Sequence, residues 1–386
     1  MSLENYKAIM LLHALGDTIG FKNGEWEFNF FNHDLSYKTT LEIVFQFISL
    51  GGISSIDLKD WNVSDDTLIH IATAKTLLHD KSDKSDYVYI FKKNLIKTLQ
   101  EIRDDEKDRD EDLNEKPTLE KIKKFKFRGV GFTTVSSVEA WNDDKDIPYK
   151  TSGGNGVAMR TLCVGAYYSK EKDLDKLVKF CIETGRTTHP SPIGYLGGVT
   201  SAYFVYLALN NVDIKKWPFK LLELIESEMV LSYISTESHD EIIGYRRFIS
   251  LWKKYIELRF KDGKPLFTKS HTNLIFRTKF FYDFTINYDE FYNEKIKDDS
   301  FHLTIGGSGV TCMLMAYDAL LDAGDSWEKL IYYAMLHVGD SDTVGAIAGG
   351  IYGAMYGFKN VPDNMLKHIE KKEELIKISE KIFNSI

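Results

Sequence analysis

The 386-residue chain is 43% hydrophobic and 27% charged, enough apolar material for one large core or two ordinary ones and too ordinary a charge for wholesale disorder. Its 57 acidic against 49 basic residues leave a net charge of -8, the opposite of the basic excess that marks a nucleic-acid binder. Three cysteines, Cys163, Cys181 and Cys312, are odd in number and form no C-x-x-C pair, so buried reduced thiols are expected instead of a disulfide framework.

From the N-terminus, residues 8–15 (AIMLLHAL) have the apolarity of a signal core. Glu4 precedes them, however, His13 interrupts them, and Gly16-Asp17 stands where a small-residue cleavage site belongs. Next, Glu25 and Glu27 flank Trp26 on a predicted loop, which reads by default as surface. Leu68, Ile71, Ala74 and Leu78 then recur at helical spacing, immediately after Ser64-Asp65-Asp66-Thr67. His70, one turn past Asp66, reads as a packed histidine.

Residues 80–128 depart from this pattern. Residues 103–116 carry eight acidic and four basic residues, and 121–128 carry five basic ones. That composition predicts a solvated helix-and-loop excursion whose opposite charges pair locally.

Beyond it, Ser152-Gly153-Gly154-Asn155-Gly156 precedes a helical run from Val157. Leu174, Leu177, Val178, Cys181 and Ile182 make a second apolar stripe, followed by His189 between Thr188 and Pro190. Gly306-Gly307-Ser308-Gly309 feeds a third stripe of Val310, Met313, Tyr317, Leu320 and Leu321. Asp340-Ser341-Asp342-Thr343 opens the last strongly apolar segment, 344–358, which is shorter than the roughly 20 residues a bilayer demands. Glycines at 345, 349, 350, 353 and 357 predict a helix face packed closely on a neighbour. Period-2 runs are scarce, and no N-G or D-G turn joins β-rich segments. The expectation is an all-α, single compact multi-helix domain over 1–386 with a charged excursion around 80–130, cytoplasmic, without membrane span or nucleic-acid partner, and monomeric.

The two acidic clusters carry the chemistry. Either alone reads as helix capping, because Ser, Thr and Asp favour N-caps and carboxylates suit a first turn. Together they supply more carboxylates than two caps use. Crowded carboxylates repel unless one is protonated or a cation sits among them, and all-oxygen donors suit Mg²⁺, Mn²⁺ or Ca²⁺. An EF-hand is excluded, since Ile351 occupies position 12 counted from Asp340; no G-K-[ST] supports a P-loop. The two glycine turns before helices present bare amides suited to a phosphate, although plain turns are equally consistent.

The motifs also occur in a recognisable order. Gly16 to Phe21 (GDTIGF), Asn23 to Phe28 (NGEWEF), Ser64 to Thr67, Gly154-Asn155-Gly156 with Ala158-Met159-Arg160, Thr188-His189 with Gly194-Tyr195, and Gly339 to Thr343 resemble the ADP-ribosylhydrolase family typified by dinitrogenase reductase-activating glycohydrolase. The segments NGEWEF, Trp61 to Thr67, Ala316 to Ala319 and Gly324 to Trp327 are similar to the ADP-ribosylarginine hydrolase branch. The resemblance implies a compact all-α fold with two Mg²⁺ ions (or Mn²⁺), held at Ser64, Asp65, Asp66, Asp340, Asp342 and Thr343. It implies binding of ADP-ribose at Ser152, Gly153, Gly154, Asn155, Gly156, His189, Ser308 and Gly309. It further implies catalytic roles for Asp65 and Asp66, with Glu27 matching the mobile-loop glutamate of the arginine-specific branch. ADP-ribosylated proteins would be the substrates. The alternatives are hydrolysis of O-linked ADP-ribose (serine, poly- or O-acetyl-ADP-ribose) and an inactive ADP-ribose-binding relative. Where that branch usually has a His-Asp pair after the S-G, this chain has Val310-Thr311, and the resemblance does not place the acidic run at 103–116.

Overall fold

The computed structural model describes residues 2–29, 36–79, 86–106, 127–143, 145, 147, 152–170, 174–235, 238–266, 273–287 and 303–386. Most of the charged stretch, 107–126, lies outside them. Helices of eight or more residues are numbered here: α1 Leu3–Phe21, α2 Tyr37–Ser49, α3 Asp65–Leu77, α4 Tyr87–Glu106, α5 Phe132–Asn142, α6 Leu174–Arg186, α7 Pro192–Leu209, α8 Trp217–Ile225, α9 His239–Arg259, α10 Leu274–Asn287, α11 Thr311–Ala323, α12 Trp327–Ala334, α13 Ser341–Tyr356 and α14 Lys372–Asn384. Buried side chains from Tyr6 to Ile382 form one connected core, so the all-α expectation holds.

Two neighbouring helices organise the site. α1 starts at a capping box, in which the Ser2 hydroxyl accepts from the Asn5 amide and the Asn5 side chain accepts from the Ser2 amide. It then runs antiparallel to α13 in a register set by small residues. A Cβ on Gly353 would lie 2.5 Å from the Ala8 carbonyl, one on Gly349 2.1 Å from the Leu12 oxygen, and one on Gly20 2.2 Å from the Ser341 oxygen. Only glycine permits backbones that close. The predicted glycine face is real, with Gly357 as the exception: it sits at φ +63° as the cap that ends α13, where an added Cβ would stand 4.0 Å from Glu4 Oε1.

α3 is buried on nearly all sides, because α1, α4, α14 and the short helix Leu162–Tyr167 enclose it. The apolar stripe read from the sequence is one part of that surface. α4 corrects the reading of 80–128 as solvated: Ile90, Phe91, Leu95, Leu99 and Ile102 are buried. Their spacing had been hidden among lysines and acids. Arg128 is buried too, paired with Asp105 at 2.7 Å and Glu370 at 2.7 Å.

α7 is, among the described residues, the one helix long and apolar enough to cross a bilayer, but 94% of that stretch is buried inside the fold. The D-G expectation also needs correction. Asp262-Gly263, at φ +52° and +71°, joins a hairpin of β1 Phe260–Lys261 and β2 Lys264–Pro265. These strands are two residues long and carry no alternation, so only the turn was readable. The three cysteines are buried and free, as expected.

Candidate active site

The start of α3 shows why its acids are not caps. A helix leaves its first amides without partners. Here the Ser64 amide donates to the Asp17 carboxylate at 3.0 Å and the Thr67 amide to the same group at 3.2 Å. The Asp65 amide donates to the Arg128 carbonyl at 2.8 Å, and the Asp66 amide to the Ser64 hydroxyl at 3.1 Å. Every one of these donors is satisfied by another residue, which leaves the Asp65 and Asp66 side chains free to face a cleft of about 420 Å³.

The start of α13 enters the same cleft from α1's C-terminal end. The Ser341 hydroxyl donates to the Gly20 carbonyl at 2.8 Å, and the Asp340 amide to the Ile305 carbonyl at 2.9 Å. Asn155 spans the two parts of the wall, its amide donating to the Asp340 carboxylate and the Gly306 carbonyl, both at 3.0 Å. Asp340, Asp342 and Thr343 all line the cleft.

Glu27 completes the acidic wall. Its loop is tied down around it: Asn23 accepts from the Asn62 amide at 2.7 Å, Trp26 donates to Gln46 at 2.8 Å, and the Phe28 amide donates to the Gly339 carbonyl at 3.0 Å. Phe28 holds φ +47°, a conformation rare for so bulky a residue. The turn drives Glu27 inward, where its carboxylate and those of Asp340 and Asp342 offer oxygens within 4.8 Å of one another. Glu25, by contrast, pairs with Lys22 at 2.6 Å, so only one of the two predicted loop acids enters the site.

Electrostatics decide what this wall fits. Burial above all, then neighbouring carboxylates, pushes Glu27, Asp65, Asp66 and Asp342 well above the ordinary acid range. Burial raises Asp340 as well. Among the described residues no lysine or arginine lines the cleft. Glu27 Oε2 and Asp66 Oδ2 are buried with no hydrogen-bond partner. A wall of oxygen donors with orphaned carboxylate atoms and no counter-charge fits a hard divalent cation.

The rest of the lining forms a neutral wall. Gly154, Asn155, Gly156 and His189 line it, together with the 129–134 segment. A Cβ on Gly156 would stand 2.6 Å from the His189 ring, so the glycine makes room for the imidazole. Burial lowers the His189 pKa to about 3, so the ring is neutral. Four other predicted residues stand behind this wall. Ser152 is buried with its hydroxyl accepting from the Ser191 amide at 3.1 Å. The Gly309 amide donates to the Gly153 carbonyl at 3.1 Å, and Ser308 bonds Thr311 side chain to side chain at 2.8 Å. These contacts join the two glycine turns to each other. Ser64 likewise lies behind its wall, with its hydroxyl engaged as a cap. His70 is a packed histidine, accepting from the Cys163 amide at 3.2 Å.

The model of the family described as ADP-ribosylglycohydrolase matches residues 2–386. The chain belongs to the ADP-ribosylglycohydrolase family. Over 395 residues it is 31% identical to ADP-ribosylhydrolase ARH1 of Dictyostelium discoideum, an alignment covering 99% of this chain and 94% of that one. It is 32% identical over 387 residues to protein L444 of Acanthamoeba polyphaga mimivirus, named for ADP-ribosyl glycohydrolase activity, covering 98% and 69% of the two. The fold is shared with a solved ADP-ribosylglycohydrolase-related protein complex at TM-score 0.56 and 16% identity, over 99% of this chain and 98% of that one. As a member of the family the chain is a hydrolase acting on ADP-ribose linkages.

Within the ADP-ribosylglycohydrolase frame, three site-building residues escaped assignment from sequence. Asp17, fully buried and raised to about 6 by burial, caps α3. Arg128 fixes the segment that receives the Asp65 amide and also donates to the Val63 carbonyl at 2.7 Å. Arg160 lies under the Gly156 turn, donating to the Gly156 carbonyl at 3.1 Å. Asp17 and Arg160 stood inside quoted motifs, but nothing in the sequence says which backbone groups they reach.

Proposed function

We propose that this hydrolase cleaves the N-glycosidic bond between ADP-ribose and an arginine side chain of a modified protein. The observation that carries this reading is the entry of Glu27, from the NGEWEF segment, into the Asp340–Asp342 carboxylate group. That segment is one of the four similar to the arginine-specific branch. One or two divalent cations, Mg²⁺ or Mn²⁺, would be held by Asp65, Asp66, Asp340, Asp342 and Thr343 and would supply Lewis acidity toward the ribose and the attacking water.

The chain's own residues account for the rest. Gly154, Asn155 and Gly156 offer the diphosphate a turn without side-chain bulk, and neutral His189 adds a ring that demands no counter-charge. Breaking the carbon–nitrogen bond leaves positive character at the anomeric carbon, and the crowded carboxylates face that charge favourably. Water adds its oxygen to that carbon and loses a proton to a carboxylate oxygen of Asp65 or Asp66. The guanidine nitrogen takes the bonding pair and a proton, for which Glu27 supplies a third carboxyl in the same cleft.

The test is release of free ADP-ribose from two matched substrates, one arginine-linked and one serine-linked, each with Mg²⁺ and with excess chelator. Cation-dependent release from the arginine substrate alone is expected. Release from serine instead would overturn the specificity while keeping hydrolysis. Binding without release from either would favour an inactive ADP-ribose binder.

A further inference from the structure

Behind His189 a chain of hydrogen bonds reaches a buried cation. Arg160 is fully buried, rests on the Phe91 ring at 4.6 Å and, among the described residues, pairs with no carboxylate. Its two terminal nitrogens both donate to the Thr188 hydroxyl, at 3.0 and 3.1 Å, while also donating to the Gly156 and Thr184 carbonyls. The Thr188 oxygen in turn lies 2.8 Å from His189 Nδ1.

Donor and acceptor arithmetic fixes the protons along this chain. A hydroxyl has one hydrogen and two lone pairs, and a guanidinium has donors only. Arg160 therefore fills both lone pairs of Thr188, and the hydroxyl must give its single hydrogen. The two available acceptors are His189 Nδ1 at 2.8 Å and the Gly185 carbonyl at 3.4 Å. The shorter contact wins, because a hydrogen bond to oxygen or nitrogen weakens steeply beyond its usual length. Nδ1 is thus an acceptor and carries no hydrogen.

We propose that Arg160 and Thr188 are positioning residues that hold His189 as the tautomer protonated on Nε2, so that its ring donates a hydrogen bond to an oxygen of the ligand in the cleft. Nε2 is the ring nitrogen on the cleft side, 3.3 Å from the place where a Cβ on Gly154 would stand. The ionised diphosphate oxygens of ADP-ribose only accept hydrogen bonds and require that donor. The other tautomer would present a lone pair to those oxygens and repel them. Burial and the Arg160 charge keep the ring neutral, which leaves one hydrogen to assign. Arg160, lowered to about 9 by burial, stays charged at neutral pH and keeps both donors on Thr188.

The ligand half of this inference rests on the proposed ADP-ribose reading; the tautomer half does not. The experiment is ¹⁵N NMR of histidine-labelled protein at neutral pH without ligand, with His189 assigned by its loss in His189→Gln. The expected wild-type spectrum shows a protonated Nε2 and a bare Nδ1. Thr188→Val should mix or reverse the tautomers and weaken ADP-ribose binding about tenfold, the effect of one lost charge-free hydrogen bond. Thr188→Ser should restore both. A wild-type ring protonated on Nδ1 overturns the proposal before any variant is made. So does Thr188→Val that keeps both the wild-type spectrum and wild-type affinity. A wild-type ring protonated on Nε2 in a protein that binds no ADP-ribose supports the relay and rejects the ligand.

Discussion

Gly16 and Gly345 meet back to back: a Cβ on Gly16 would stand 2.0 Å from the Gly345 carbonyl oxygen. That contact brings Asp17 and the start of α13 to one place, so packing and chemistry share a cause.

Gly349→Ala, one turn along the same face, should lower stability by about 2–3 kcal/mol, the usual cost of overpacking. Gly131→Ala, with nothing within 4 Å of its added Cβ, should fall within about 0.5 kcal/mol of wild type. Urea unfolding of both variants checks the contrast. Equal stabilities would show that the close approach is not tightly enforced.

Asp17→Ala removes the acceptor for the Ser64 and Thr67 amides and the Thr67 hydroxyl. Buried donors left without partners cost about 1–3 kcal/mol each, so a loss of about 3 kcal/mol is expected. Divalent-cation affinity should fall with it, although Asp17 does not line the cleft. Calorimetric titration with Mg²⁺ measures the second effect, and unchanged affinity would separate the cap from the cluster.

Cation binding should release protons. Burial and neighbouring carboxylates raise Glu27, Asp65, Asp66 and Asp342 well above the ordinary carboxylate range, so an entering cation competes with protons there at higher pH than at free carboxylates. The sign follows: apparent Mg²⁺ affinity tightens as pH rises through the range in which these raised acids lose their protons. Titrations in two buffers of different ionisation enthalpy count the protons, and a pH-independent affinity would contradict the shifted acids.

Arg128→Met removes the guanidinium that Glu370 and Asp105 share and loosens the segment whose carbonyl receives the Asp65 amide. Asp105 is 39% exposed and Glu370 18%, so water screens part of the loss and the cost should be about 1–3 kcal/mol. Because the carbonyl at position 128 that receives the Asp65 amide is held less firmly, turnover should fall more than substrate affinity does. Steady-state kinetics at a temperature where the variant remains folded distinguishes the two.

Asp65→Asn should cut turnover by orders of magnitude with the fold intact, as expected for a proton acceptor at the reacting water. Circular dichroism and ADP-ribose release, measured on the same sample, check both halves. Near-normal release would remove Asp65 from the base role.

The sequence made the helix class, the glycine face of α13 and the paired acids readable, because each leaves a local signature in spacing or composition. It could not show what caps α3, since the decisive acceptor on Asp17 lies 47 residues away. Nor could it separate Ser152 and Ser308 from Asn155, because a turn's amides and hydroxyls face the cleft or the interior only once the partner turn is in place. The burial of α4 escaped for a different reason. Its apolar residues recur at 90, 91, 95, 99 and 102, but a strongly charged background masked the period.

The Ser341 hydroxyl and the Gly20 carbonyl are 321 residues apart in the chain, and the consequence is one of timing. Ribosomes extend chains at about 5–20 residues per second, and α1 is among the first segments made. Its glycine-edged face has no mate until residues 341–353 have followed. Until then Asp65 and Asp66 lack Asp340 and Asp342, and the acidic lining of the cleft is incomplete. The acidic site is therefore complete only once residues 341–353 have packed onto the first helix.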